Sequence, residues 1–147
     1  MTTLIIRDYE QKDLAAVTGL TNQLGYPTTT AEMQLRMNAI SEHAQHRTLV
    51  AVMDHRVVGY AGLTKGWYWE KNESFLRIQT LVVHQDHRKA GIGKQLLEAA
   101  AQHALTIGAN DLLLNSGNRP ERNAAHRFYP KMGFEATSTG YVKKIAR

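Results

Sequence analysis

The chain has 147 residues, 43% of them hydrophobic and 21% charged, which fits one soluble globular domain spanning residues 1–147 and leaves too little length for two. It contains no cysteine, which excludes disulfides, thiolate metal sites and a cysteine nucleophile, and no apolar run approaches the ~20 residues of a membrane span. The formal net charge of +5 suits an anionic partner such as nucleic acid or a polyphosphate cofactor, and it is equally common in small proteins that have neither.

Met1–Asp8 becomes charged too early for a signal peptide, so the expectation is a cytoplasmic protein that opens on a strand over Thr3–Arg7. Leu14, Val17, Leu20 and Leu24 then recur at helical spacing, and Gly25-Tyr26-Pro27 breaks that helix. Thr29 and Glu32 have capping-box spacing ahead of a second helix that carries Met33, Leu35, Met37 and Ile40. Thr48–Met53 and Val57–Leu63 read as strands joined by the tight turn Asp54-His55-Arg56. Gly66–Asn72 is an aromatic loop, and Ser74–Val83 a long strand. Gly91–Ile107 is an amphipathic helix with Leu96, Leu97, Ala100, Ala104 and Ile107 on one face. Asp111–Leu114 reads as a buried strand, residues 115–121 as a polar loop, and Asn123–Met132 as a short helix stopped by Gly133. Phe134–Thr139 and Tyr141–Lys144 are expected as two closing strands around Gly140. Hairpins mixed with strand–helix–strand crossovers predict a mixed α/β (α+β) domain around a central sheet.

The densest chemical signal is Arg88-Lys89-Ala90-Gly91-Ile92-Gly93-Lys94, placed where a strand ends and a helix opens. A helix N-terminus offers unpaired N–H groups and partial positive charge to a phosphate. Glycine lets backbone approach an anion closely. A Walker loop ending on Gly93-Lys94 would need Gly at 88 and Ser or Thr at 95, where Arg88 and Gln95 stand. A dinucleotide fingerprint would need a third glycine at Leu96. Taken alone, the stretch is also compatible with a glycine-containing turn that binds nothing.

Arg88–Gly93 resembles the acetyl-CoA motif R/Q-x-x-G-x-G/A of the GCN5-related N-acetyltransferase (GNAT) family. Asn123-Ala124-Ala125-His126-Arg127-Phe128-Tyr129-Pro130-Lys131-Met132-Gly133-Phe134 is similar to that family's second motif, N-x-x-A-x-x-F-Y-x-K-x-G-F. The order of elements also fits, so the resemblance covers nearly the whole chain. It implies a mostly antiparallel sheet of about seven strands with helices on both faces, splayed between the fourth and fifth strands. It implies acetyl-CoA as co-substrate, with its pyrophosphate on the backbone of Arg88, Lys89, Ala90, Gly91, Ile92, Gly93 and Lys94. Its pantetheine arm would add as a strand to Leu81, Val82 and Val83. Asn123 would contact the cofactor. His126, which matches a branch with the pattern R-x-x-A-H-x-F-Y if one residue of spacing is relaxed, would orient Tyr129 or the cofactor, or simply pack.

Acetyl transfer to an amine needs a neutral nucleophile, a hydrogen-bond donor for the thioester oxygen and a proton for the departing thiolate. The resemblance gives the proton to Tyr129, whose phenol has an ordinary pKa of about 10, and the oxygen to a backbone N–H near Val82. Without the motif, Tyr129 would read as a packed helix aromatic. Many relatives carry a Glu on the central strand, but Phe75–Leu81 contains no carboxylate. Glu70, Glu73 and His84 lie around it as ordinary surface candidates. The amine would be deprotonated through water held by Gln79, Thr80 or Asn115, or would arrive neutral.

The acceptor is expected to be a small primary amine near Tyr26, Gln79, Thr80 and Asn115. Asn115–Phe134 resembles small-molecule acetyltransferases, including those acting on aminoalkylphosphonates. An aminoglycoside or protein acetyltransferase is an alternative, and so is a non-catalytic acyl-CoA-binding module. The net charge argues against polycationic substrates and favours an amine bearing its own anionic group. Trp67, Tyr68 and Trp69 would line an acceptor pocket or cover a sheet edge. His43/His46 and His84/His87 lack a further ligand, so no metal is expected. Lys143, Lys144 and Arg147 are too sparse for nucleic acid. No membrane association is expected. Homodimerisation is common in the family, with the C-terminal strands as candidate contacts.

Overall fold

The computed structural model describes residues 3–115 and 123–145, without the side chains of residues 123–125. The chain gathers into two compact units, Met1–Leu114 and Asn115–Arg147.

The first unit is built on a five-stranded sheet in the order β1 (Leu4–Asp8), β2 (His46–Met53), β3 (Arg56–Trp67), β4 (Ser74–Val83) and β5 (Asp111–Leu114). The first four strands pair antiparallel, and β5 pairs parallel to β4. The parallel pair requires a crossover, which α3 (Ile92–Thr106) supplies. β2 and β3 are joined by the two-residue turn Asp54-His55, with φ of 51° and 64°. Positive φ at both positions matches the twist of a hairpin, and Asp and His tolerate it better than bulkier residues.

Helices α1 (Leu14–Leu24) and α2 (Thr30–Ser41) cover one face of the sheet. Gly25 stops α1 in the left-handed region at φ 106°. The expected capping box opens α2: the Glu32 N–H donates to Thr29 Oγ1, and the Thr29 N–H donates to Glu32 Oε1, both at 3.1 Å. Val17, Leu20, Met33 and Met37 pack there with Val50, Tyr60 and Val82. Tyr60 Oη and Thr21 Oγ1 meet at 2.5 Å inside this cluster, which satisfies two polar groups that burial would otherwise penalise. Ahead of α1, buried Asp13 takes both Arg7 guanidinium nitrogens, at 2.8 and 2.9 Å, and the Glu10 N–H at 2.7 Å. These donors hold the Asp13 carboxyl below its ordinary value, the Arg7 hydrogen bonds most of all.

Helix α3 covers the other face with Ile92, Leu96, Leu97, Ala100 and Ala104 buried. Gly59 is required beneath it. A Cβ there would lie 3.0 Å from the Val82 carbonyl and 3.3 Å from both Ile92 and Leu96 side chains, so the glycine lets the first turns of α3 close onto β3 and β4.

One irregularity shapes β4. Leu63 pairs with Ile78, but Gly62 pairs with Thr80, so Gln79 is an extra, bulged residue. Strict alternation would put residues 78, 80 and 82 on one face. Instead Ile78 faces the α3 side opposite Leu63, whereas Val82 joins Tyr60 in the α1/α2 cluster. Beyond the bulge, the strand has exchanged its faces.

In the second unit, α4 (Asn123–Lys131) contains Pro130 near its end, so no amide from position 130 reaches the His126 carbonyl. Gly133, at φ 90°, closes the helix. The Phe134 N–H donates to the Tyr129 carbonyl at 3.2 Å, and the Gly133 N–H to that of Pro130 at 3.1 Å.

The expected count of about seven strands is corrected to five among the described residues. Phe134–Thr139 and Tyr141–Lys144 form no ladder, and Tyr141, Val142 and Ile145 are almost fully exposed. Their sequence, with Thr137, Ser138, Thr139 and Gly140 together, offers no alternating apolar face to hold a strand against a core. The β5 residues are half-buried rather than buried. β3 runs on to Trp67 and so absorbs the start of the expected aromatic loop.

Candidate functional site

The edge of β4 is where the first unit can receive a ligand. β5 pairs with Phe75–Ile78 only. From Gln79 to Val83 that edge of β4 has no strand beside it among the described residues. The His84 N–H donates to the Val58 carbonyl at 2.7 Å, which fixes the hydrogen-bonding phase of the β3–β4 ladder. His84, Val82 and Thr80 turn their backbone groups to β3, and Val83 and Leu81 turn theirs to the open edge. Of the three residues expected to hold an added strand, Leu81 and Val83 therefore present N–H and C=O outward. The N–H of Val82, expected near the thioester oxygen, points inward to β3.

β4 runs through a single turn, Gln85–His87, into the loop Arg88–Gly91. Lys89 and Gly91 both have left-handed backbone, at φ 72° and 79°, a conformation that helps such turns expose successive N–H groups on one side. Gly91 caps α3 without any side-chain hydrogen bond. The Gln95 N–H is the one that reaches back to the Gly91 carbonyl, at 3.1 Å, so the amides of Ile92, Gly93 and Lys94 have no partner within the helix. A Cβ on Gly91 would meet nothing within 4 Å, so the space beside the loop is clear. Arg88, Lys89, Ala90 and Lys94 are exposed, and none of the three cations pairs with an acid among the described residues. Buried Ile92 pins the start of the helix. An open strand edge thus leads into a cationic loop of free amides, which fits an extended amide-bearing chain that ends in a polyphosphate.

Gln79 is exposed and Thr80 half-buried at the bulge that begins this edge. Both were legible as polar residues on the strand. The bulge itself was not, because nothing in the local sequence distinguishes an extra residue from an ordinary one. Tyr26 follows α1, with its N–H donating to the Thr21 carbonyl at 3.2 Å and its side chain exposed. One helical turn earlier, Gln23 Oε1 accepts the Gln85 N–H at 2.9 Å, so the end of α1 adjoins the end of β4.

Tyr129, His126 and Asn123 belong to α4 in the second unit. Tyr129 is buried, with its ring 5.5 Å from that of Phe128 and 5.8 Å from that of Phe134. His126 precedes it by one turn on the same helical face and is half-buried. The side chain of Asn123 lies outside the described residues. Asn115 approaches Gly140, where a Cβ would lie 3.8 Å from its Nδ2.

The aromatic loop stands apart from the open edge. Tyr68 donates to Asp111 Oδ2 at 2.5 Å, at the start of β5, and this bond pushes its hydroxyl pKa up to about 12. Trp69 is fully exposed. The loop borders the first residues of β4, at the opposite end from Val83. No three His, Asp or Glu residues gather as metal ligands among the described residues. The His43 and His46 rings lie tilted at 5.3 Å, and His84 and His87 meet edge-on at 5.4 Å. No described helix is long and apolar enough to cross a membrane.

The family model for the acetyltransferase (GNAT) domain matches residues 44–136, from just before β2 to just past α4. No curated protein matches the chain significantly. Among solved structures, a GNAT family acetyltransferase from Staphylococcus aureus is 26% identical, with a TM-score of 0.83 over 97% of this chain and 99% of that one. Glucosamine-6-phosphate N-acetyltransferase from Arabidopsis thaliana is 20% identical, with a TM-score of 0.81 over 98% and 99% of the two chains. Aminoglycoside N-acetyltransferase AAC(6')-Iy, in complex with CoA, is 18% identical, with a TM-score of 0.85 over 99% and 97%. The last two share the fold. The family match covers well over half of the chain, so the protein belongs to the GNAT family and is an acetyltransferase with acetyl-CoA as its co-substrate.

Proposed function

We propose that this protein moves an acetyl group from acetyl-CoA directly to the primary amine of a small molecule that carries its own anionic group. It would do so as one acetyltransferase domain, through a ternary complex. The observation that supports this best is the continuity of the open β4 edge with the cationic loop at the start of α3. Leu81 and Val83 would pair with the pantetheine amides, and the amides of Ile92, Gly93 and Lys94 would take the pyrophosphate. Arg88, Lys89 and Lys94 would screen its charge. An outward N–H at Leu81 or Val83 would donate to the thioester oxygen. The amine nitrogen forms the new C–N bond as the C–S bond breaks. Tyr129 would give its phenolic proton to the thiolate and regain one from solvent, while water beside Gln79 and Thr80 would take the proton lost by the amine.

The absence of cysteine removes the thiol that would most readily carry the acetyl group, which favours direct transfer with donor and acceptor bound together. The protein's mass should therefore be unchanged after incubation with acetyl-CoA alone. Net charge and the shortage of acidic residues, 13 against 18 Lys and Arg, favour an anionic amine over a polycation. An acceptor screen tests this. Amino acids, aminophosphonates and amino-sugar phosphates are expected to be acetylated faster than aminoglycosides, and the reverse order would overturn the acceptor class.

A further inference from the structure

A second concave site adjoins the turn after β4. It is a cleft of about 370 Å³ lined by Ala16, Gly19, Leu20 and Gln23 of α1, Arg56 and Val57 at the start of β3, and His84 after β4. Its size is that of a small-ligand site.

Each of its three polar side chains has a donor to offer. Gln23 commits its Oε1 to the Gln85 N–H at 2.9 Å, which fixes the amide and leaves its NH₂ to donate. His84 commits its Nδ1 to the Asp86 N–H at 3.1 Å, so in the neutral ring the proton sits on Nε2. Arg56 is exposed and pairs with no acid among the described residues, and a guanidinium only donates. The nearby carboxylate of Asp86 lies on the Nδ1 side of His84, at 3.9 Å.

Opposite these donors, Ala16, Leu20 and Val57 supply an apolar lining. Gly19 opens the space: it sits in the interior of α1, where glycine costs a helix about 1 kcal/mol relative to alanine, and a Cβ there would meet nothing within 4 Å. One permanent cation, two further donors and an apolar wall suit a monoanion with a short hydrocarbon body. A phosphate dianion would call for more positive charge.

We propose that this cleft binds a small carboxylate, with its oxygens on Arg56, Gln23 and His84 and its apolar part along Ala16, Leu20 and Val57. Two of those donors also hold the turn that precedes Arg88–Lys94, which makes the site well placed for an effector of the enzyme.

The test is a titration with sodium butyrate, followed by NMR shifts of the Gly19 amide and the Gln23 side chain. The protein is kept saturated with CoA, so that the loop at Arg88–Lys94 is already occupied. Saturable binding with a Kd on the order of millimolar is expected for so small a ligand. Arg56→Met should weaken it about tenfold or more. Gly19→Leu, which fills open space and leaves the core untouched, should abolish it. Absence of saturable shifts in the wild type would overturn the proposal. So would equal binding by Arg56→Met, or by uncharged butanol in place of butyrate. Because CoA binding is measured separately, failure here leaves the donor site unaffected.

Discussion

Single side chains carry both the chemistry and much of the local order. Tyr129→Phe removes the proposed acid and keeps the ring that packs between Phe128 and Phe134. Turnover should fall about a hundredfold or more, while the acetyl-CoA Kd measured by calorimetry stays within about twofold. Unaltered turnover would remove Tyr129 from the mechanism. Asp13 tests a different claim. Its carboxyl is held below the ordinary carboxylate range by Arg7 and the Glu10 N–H, so its contribution to stability is complete above the unfolded-state pKa of about 4. That contribution is lost as the pH falls further, through the lower folded-state value. Urea midpoints between pH 6 and pH 2 should therefore decline less steeply in Asp13→Asn, which should be less stable by about 2 kcal/mol at neutral pH. At this scale the sequence was readable where a residue sits in a motif. The proposed roles of Tyr129 and Arg88–Lys94 come from such motifs. Gln23 and Arg56 were not readable, and His84 stood out only as a base or metal candidate, because three separate segments meet there and none carries a pattern of its own.

Elements are where packing decides. Gly59→Ala should push the first turns of α3 away from β3 and β4, because its Cβ has 3.0 Å to the Val82 carbonyl. A cost of about 1–3 kcal/mol is expected from overpacking, together with weaker acetyl-CoA binding, since the displaced turn carries the free amides. Wild-type affinity in a destabilised Gly59→Ala would disconnect the seating of α3 from donor binding. In the β2–β3 hairpin, replacing Asp54-His55 by Asn-Gly should raise the denaturation midpoint by about 0.5–1 kcal/mol of stability, because both positions have positive φ. Helical spacing, the capping box at Thr29 and Glu32 and the face of α3 could all be read in advance because each is a local, periodic signal. The bulge at Gln79 could not, since it is set by the pairing of β3 with β4. The two closing strands were read from short apolar stretches on either side of Gly140. Residues 134–145 lack the alternating apolar pattern that would have supported them, and no ladder forms there.

At the scale of the molecule, charge ties the donor to its site. With a net +5 and exposed cations at Arg88, Lys89 and Lys94, acetyl-CoA affinity should fall as ionic strength rises from about 0.05 to 0.5 M, because screening shortens the reach of exposed charges. Thermal stability should change little over the same range, since the buried cluster around Val17, Tyr60 and Val82 is apolar. The central claim is that the open β4 edge and the loop at α3 deliver an acetyl group to an amine rather than merely holding the coenzyme. The most direct measurement is release of free CoA thiol from acetyl-CoA across a panel of small amines. Thiol release that depends on the amine, matched mole for mole by N-acetylated product, is the predicted result. Tight acetyl-CoA binding with no amine-dependent release across the panel would contradict it and leave a coenzyme-binding module without catalysis.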